Sequence, residues 1–141
     1  MTELTLAISN TILNAALQEA SSQGYRPMSA VVLDASGHLV AMQRQDGASM
    51  FRVEIATGKA WAAVAMGVSS RALMKRAADN PNFFGALAST GQGKFIPQIG
   101  GVLIKDAEGK ILGSVGASGG TGEEDEAICI HGIVTAGLKA E

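Results

Sequence analysis

The chain has one cysteine, Cys129, two histidines, His38 and His131, and three prolines. A lone thiol closes no internal disulfide, so the fold rests on burial, and a reducing, cytoplasmic setting is the expectation. Aromatic residues make up 4% of the sequence although 47% of it is hydrophobic. Such a core is assembled from Ala, Val, Ile, Leu and Met, a composition that favours close backbone packing over aromatic clusters. Basic residues are in no excess: the net charge is −2. With no basic stripe and no charged tail, nucleic acid is excluded as an expected partner. No apolar run reaches the roughly 18 residues of a membrane span, so no membrane partner is expected. A secretory leader's basic start, apolar stretch and cleavage site are also missing from the N-terminus. The expectation is one soluble domain over residues 1–141.

What the chain has in excess is glycine. There are 18, roughly twice the usual share, gathered near residues 91–122, which points to tight turns and a backbone that approaches something closely. Leu6, Ile8, Ile12, Leu13, Ala16, Leu17 and Ala20 recur at helical spacing. Thr2 is the candidate N-cap of that helix and Gly24 its left-handed terminator. Ser29–Leu33 and Leu39–Arg44 flank the turn Asp34-Ala35-Ser36-Gly37, a hairpin signature. The pattern returns as Asp106-Ala107-Glu108-Gly109 between Val102–Lys105 and Ile111–Val115. Two such hairpins predict an antiparallel sheet with helices inserted between them, hence an α/β (α+β) chain. A weaker strand is expected over Lys94–Pro97, confined to an edge by Pro97.

Between the hairpins the pattern predicts a helical stretch from about Met50 to Ala78. Its residues Ala60 to Val68 are apolar all round apart from Gly67, which implies burial on several sides and a second subunit against part of it. Asp79-Asn80-Pro81-Asn82 breaks the pattern, and Phe83–Ala88 is expected to form one further turn. The last helix is announced by Thr121-Gly122-Glu123-Glu124, a capping box, with the acids Glu123 to Glu126 at the positive end of the helix dipole. Ile130, Ile133, Val134 and Leu138 supply its expected apolar side.

An ordered set of blocks runs through nearly the whole chain: Val31-Val32-Leu33-Asp34 with Gly37-His38-Leu39-Val40, Arg44-Gln45-Asp46-Gly47-Ala48, Lys59-Ala60, Ile99-Gly100-Gly101-Val102, and Gly113 to Gly120 leading into Asp125-Glu126. Together they resemble the GlcG/HbpS family, which also forms the C-terminal domain of some corrinoid adenosyltransferases. The resemblance implies a profilin- or PAS-like fold, a five-stranded antiparallel sheet flanked by helices, assembled into tetramers or octamers. Some members bind heme; others accompany glycolate or diol metabolism genes. A ligand pocket is therefore implied more firmly than a reaction, with heme the leading cofactor.

Lys59 is the residue most open to chemical reading. It enters an apolar helix half, where an unpaired ammonium costs several kcal/mol or loses its proton. Either its stem carries the charge out to water, or a carboxylate meets it, and the family pattern points to Asp46 or Glu126. An enclosed Lys59–Asp46–Glu126 cluster would suit acid–base work or anion binding. Gly100, Gly101, Ser118 and Gly119 either present backbone amides to a carboxylate or heme propionate, or form a close-packed strand-to-helix turn. Arg44, Arg52, Arg71 and Arg76 are candidates for propionates or else lie on solvated helix faces. Met42, Met50, Met66 and Met74 either soften an apolar pocket or fill core gaps. His131 is a weak candidate for heme iron, and His38 follows a turn glycine and is expected to face water. With Cys129 the lone cysteine, a zinc site has too few plausible ligands at suitable spacing. The readings rank as a small-molecule binding protein first, an enzyme on a small carboxylate or carbonyl compound second, and an accessory subunit third.

Overall fold

The computed structural model describes residues 3–141. Thr2 lies outside them, and the cap of helix α1 (Leu6–Ser22) is Thr5, whose Oγ1 accepts the Ile8 amide at 3.1 Å. The helix ends in the double bond of a Schellman motif, with Tyr25 N–H on Ala20 O at 3.0 Å and Gly24 N–H on Ser21 O at 3.1 Å. Gly24 has φ +71°, as its terminating role requires.

Strands β1 (Ser29–Asp34) and β2 (Leu39–Arg44) form the first hairpin, β3 (Gly101–Lys105) and β4 (Ile111–Ser118) the second. The two turns repeat one device. Asp34 Oδ1 accepts the amides of Ser36 and His38, and Asp106 Oδ1 those of Glu108 and Lys110, all at 2.9–3.0 Å. The antiparallel sheet has the order β2-β1-β4-β3-β5, the last strand being Lys139–Ala140. Side chains alternate across it. Ala30, Val32, Val102, Ile104, Val115 and Ala117 pack against α1 and α5 (Gly122–Thr135), while Val31 and Leu33 meet Ala56 and Ala60 of α2 (Phe51–Met66). Helices α3 (Ser70–Asp79) and α4 (Pro81–Thr90) gather around Leu73, Phe84 and Phe95 beyond the end of α2. This is an α+β fold of PAS- and profilin-like topology, as the resemblance implies.

Four local expectations are corrected. The stretch from Met50 to Ala78 is two helices, because Gly67 at φ +71° turns its N–H back onto Ala63 O and ends α2. The turn at Phe83–Ala88 is a full helix that starts on Pro81, a position needing no amide donor. Lys94–Pro97 is not a strand. Its Ile96 N–H donates to Gly58 O at 3.2 Å and its side chain fills the space above Gly58, so the segment lies on α2. On α5 the buried residues are Asp125, Ile128, Cys129, Gly132 and Ile133, so Ile133 faces the core as expected whereas Ile130 and Val134 are exposed. The second half of α2 is covered on several sides, as expected: Ala60, Ala62 and Ala63 are buried, Trp61, Val64 and Met66 half-buried, and Ala65 is exposed. No helix among the described residues is long and apolar enough to cross a membrane.

Gly85 sits inside α4 with nothing within 4 Å of the place a Cβ would occupy. Gly85→Ala is expected to raise stability by about 0.4–1 kcal/mol, by narrowing the unfolded ensemble at no steric cost. The urea midpoint should rise accordingly.

Candidate functional site

Helix α2 rests on the sheet backbone to backbone. A Cβ at Gly101 would run into the carbonyl oxygen of Lys59, and one at Gly116 into that of Ala56. The Ser114 hydroxyl, two residues before Gly116 on β4 and opposite Leu103, donates to Ala60 O at 2.7 Å. This seating brings Lys59 to the junction of α2, the end of β4 and the start of α5. Its Nζ donates to Ala117 O at 3.1 Å and to Asp125 Oδ2 at 2.9 Å. Both side chains are almost wholly enclosed, at 7% and 3% exposure. Gly100, at φ +128°, clears the space: a Cβ there would stand 2.8 Å from Nζ.

Asp125 Oδ1 accepts the Gly120 amide at 3.0 Å, so the carboxylate ties the Gly119-Gly120 turn to the buried ammonium. Burial pushes the Asp125 pKa up; the Lys59 charge and hydrogen bond, and the Gly120 amide, pull it down without cancelling the rise. Cys129 lies one turn further along α5, fully buried, its Sγ 3.7 Å from Gly100 O. Burial raises its thiol pKa, and the charge of Asp125 raises it further.

The partner of Lys59 is thus Asp125, neither Asp46 nor Glu126. Four successive acids on a helix point in four directions. Glu123 is exposed and Glu124 closes the capping box with Thr121. Asp125 turns inward, and Glu126 grips Arg71 Nε and Nη2 at 2.9–3.2 Å. Asp46 is exposed in the β2–α2 loop. The working residue of its block is Gln45, which accepts the Met28 amide at 2.8 Å and donates to Leu17 O and Ser21 Oγ. The sequence does carry a signal for Asp125. Positions 125, 128, 129, 132 and 133 are one helical stripe, and all five are buried.

A cleft of about 380 Å³ opens beside the ion pair, lined by Arg52, Ile55, Lys59, Met74, Ile96, Gln98, Ile99, Ser118, Gly120, Gly122, Glu123 and Asp125. A second, more apolar cleft of about 670 Å³ shares Met74 and Ile99 with it and adds Val68, Ala72, Arg71, Lys75 and Glu126. Of the residues singled out in the sequence, Arg52, Lys59, Met74 and Ser118 line the first cleft, and Arg71, Met74 and Glu126 the second. Gly100, Gly101 and Gly119 line neither. They are packing glycines: the Gly101 amide is taken by Ser70 Oγ at 2.7 Å, and a Cβ on Gly119 would strike Pro27 O. Arg44 and Met50 are exposed outside both clefts. His131 faces outward from α5, and His38 is exposed beside the first turn. Arg52 and Met74 come from the arginines and methionines named in the sequence and Ile99 from its family block; what the sequence does not show is that these three meet in one cleft.

The fold and the cleft over its buried ion pair place the molecule among PAS- and profilin-like domains with a ligand-sized recess. More narrowly, the chain belongs to the HbpS-like family, whose profile, described as "Haem degrading protein HbpS-like", matches residues 4–134. The PduOC domain, solved as a heme complex, superimposes with a TM-score of 0.86 at 28% identity, covering 97% of each chain. Crystalline HbpS gives a TM-score of 0.81 at 28% identity over 95% of this chain and 90% of that one. The corrinoid adenosyltransferase PduO of Citrobacter freundii is 32% identical over 113 residues, 80% of this chain. The match spans only 33% of that relative's own length.

Proposed function

We propose that this chain is a small-molecule-binding protein whose ligand is heme or a related tetrapyrrole. The observation that carries the reading is the likeness, over 97% of both chains, to a domain solved in complex with heme. The chain's own surface is compatible with such a ligand. The larger cleft sets Val68, Ala72, Met74 and Ile99 beside a rim of mixed charge, Arg71 and Lys75 with Glu126 and Glu141, in which Arg71 is held by Glu126; its apolar wall suits a flat macrocycle. The Met74 thioether, common to both clefts, is the soft side chain available to an iron. Neither histidine lines either cleft. Heme, when bound, supplies a redox-active metal; the chain supplies the wall, the rim and exclusion of water.

A hemin titration of the purified chain is expected to give a saturable Soret band, weakened or displaced by Met74→Ala. Absorbance that climbs without saturating, as for hemin aggregating on a surface, would overturn the proposal. Self-association belongs to the same reading, supported by the exposed apolar side chains Leu39, Met50 and Phe51.

A second reading, turnover of a small carboxylate or carbonyl compound, draws on the enclosed Lys59–Asp125 pair bordering the smaller cleft. Those two groups already satisfy each other, which ranks binding above catalysis.

A further inference from the structure

We infer that the smaller cleft is a carboxylate subsite, in which Arg52, Ser118 and Lys59 hold one carboxylate against an apolar wall. Arg52 stands in the first turn of α2, near the positive end of that helix's dipole. Among the described residues no Asp or Glu oxygen lies within ion-pair distance of its guanidinium. Its one side-chain bond is a long contact, Nη1 to Ser118 Oγ at 3.4 Å. A guanidinium carries five N–H donors in a fork matched to a carboxylate. Arg71 spends its fork on Glu126; Arg52 keeps its own for the cleft.

Two further donors border the same space. Ser118 is buried, and its hydroxyl, accepting from Arg52, retains its own hydrogen to give. Lys59 has three N–H groups; two serve Ala117 O and Asp125, leaving one for the cleft that the residue lines. Ile55, Met74 and Ile96 supply the apolar wall. The charge balance sets the class of ligand. Lys59 and Asp125 offset each other, and Arg52 adds a positive charge, opposed at the mouth by exposed Glu123. A single negative charge beside Arg52 is accommodated, whereas a dianion meets Asp125 and Glu123 on the same walls. The subsite therefore selects a carboxylate over a phosphate.

Two sources carry that chemistry: a free short-chain carboxylic acid, or the propionate arm of a tetrapyrrole lying in the adjoining cleft across Met74 and Ile99. Only the second rests on the proposed function. Calorimetric titration of the full chain with butyrate, butyramide and inorganic phosphate tests the first. Hemin and its dimethyl ester, followed at the Soret band, test the second. In both arms wild type is compared with Arg52→Gln, whose fold is verified by its thermal melt, and with Lys110→Gln, on the exposed far turn, as the control. If a free acid is the occupant, butyrate saturates, butyramide and phosphate bind at least about tenfold more weakly, and Arg52→Gln costs butyrate about tenfold or more, the loss of a charge-assisted bond. If a propionate is the occupant, Arg52→Gln weakens hemin by a similar factor and leaves the ester unchanged. Butyrate and hemin both indifferent to Arg52→Gln overturn the subsite, and a saturable hemin titration then leaves the heme reading standing. Butyrate held through Arg52 while hemin never saturates keeps the subsite and removes the heme reading.

Discussion

Replacing Lys59 with methionine is expected to destabilise the chain by about 3–5 kcal/mol at neutral pH, the usual cost of breaking a buried ion pair from one side. That is a large share of the roughly 5–15 kcal/mol that holds an ordinary domain folded. The loss comes from the carboxylate left behind. Asp125 is enclosed and keeps only the Gly120 amide once the ammonium is gone. The pH dependence follows from its raised pKa. A carboxyl that holds its proton more tightly when folded than when unfolded gives stability that is complete below the ordinary carboxylate range and lost as pH rises through the folded value. Removing Lys59 moves that folded value higher still, so the variant should lose more at about pH 8 than at about pH 5. Urea denaturation at the two pH values measures the difference. Adding Asp125→Asn should recover more than half of the loss, because a neutral amide oxygen still accepts from Gly120. A loss below about 1 kcal/mol, equal at both pH values, is the behaviour of an exposed pair and would refute the buried assignment.

Gly116→Ala is expected to cost about 3 kcal/mol, the upper end of the range for overpacking. The added methyl would collide with the Ala56 carbonyl and stand 3.0 Å from both the Cβ and the amide nitrogen of Ala60. Those obstacles are mainly backbone, and α2 cannot yield locally: Gly101 sits as tightly under Lys59, and Ser114 is bonded to Ala60 O. The whole helix must lift, which also draws Lys59 away from Asp125. A thermal melt should show the drop, opposite in sign to that of Gly85→Ala. A neutral Gly116→Ala would mean that the helix does not rest on the sheet at that point.

What the sequence disclosed was local. Both hairpins were legible because an aspartate side chain organises its own turn within four residues, at Asp34 and again at Asp106. The capping box at Thr121 and the glycine stop at Gly24 are short-range devices of the same kind. The break at Gly67 was hidden because a glycine inside an apolar run looks alike whether it continues a helix or ends it. Strand β5 has two residues, too short for any alternation to register. At the site, the apolar neighbours of Lys59 announced that its charge needed an acid. The choice among acids depended on the rotation of α5, and Ile130 and Val134 drew attention to the wrong side of that helix. Counting back from Ile128, Cys129, Gly132 and Ile133 would have reached Asp125. The pairing of Arg52 with Ser118 joins residues 66 positions apart, and no spacing rule links them.

The sulfur of Cys129 has one further consequence. Sealed beneath its own helix and held as the thiol, it offers an alkylating reagent nothing to attack while the native packing lasts. Any slow labelling of the native protein is therefore a clock on structural opening, recorded without adding a probe. The same enclosure keeps an oxidant from stapling two copies together through that atom.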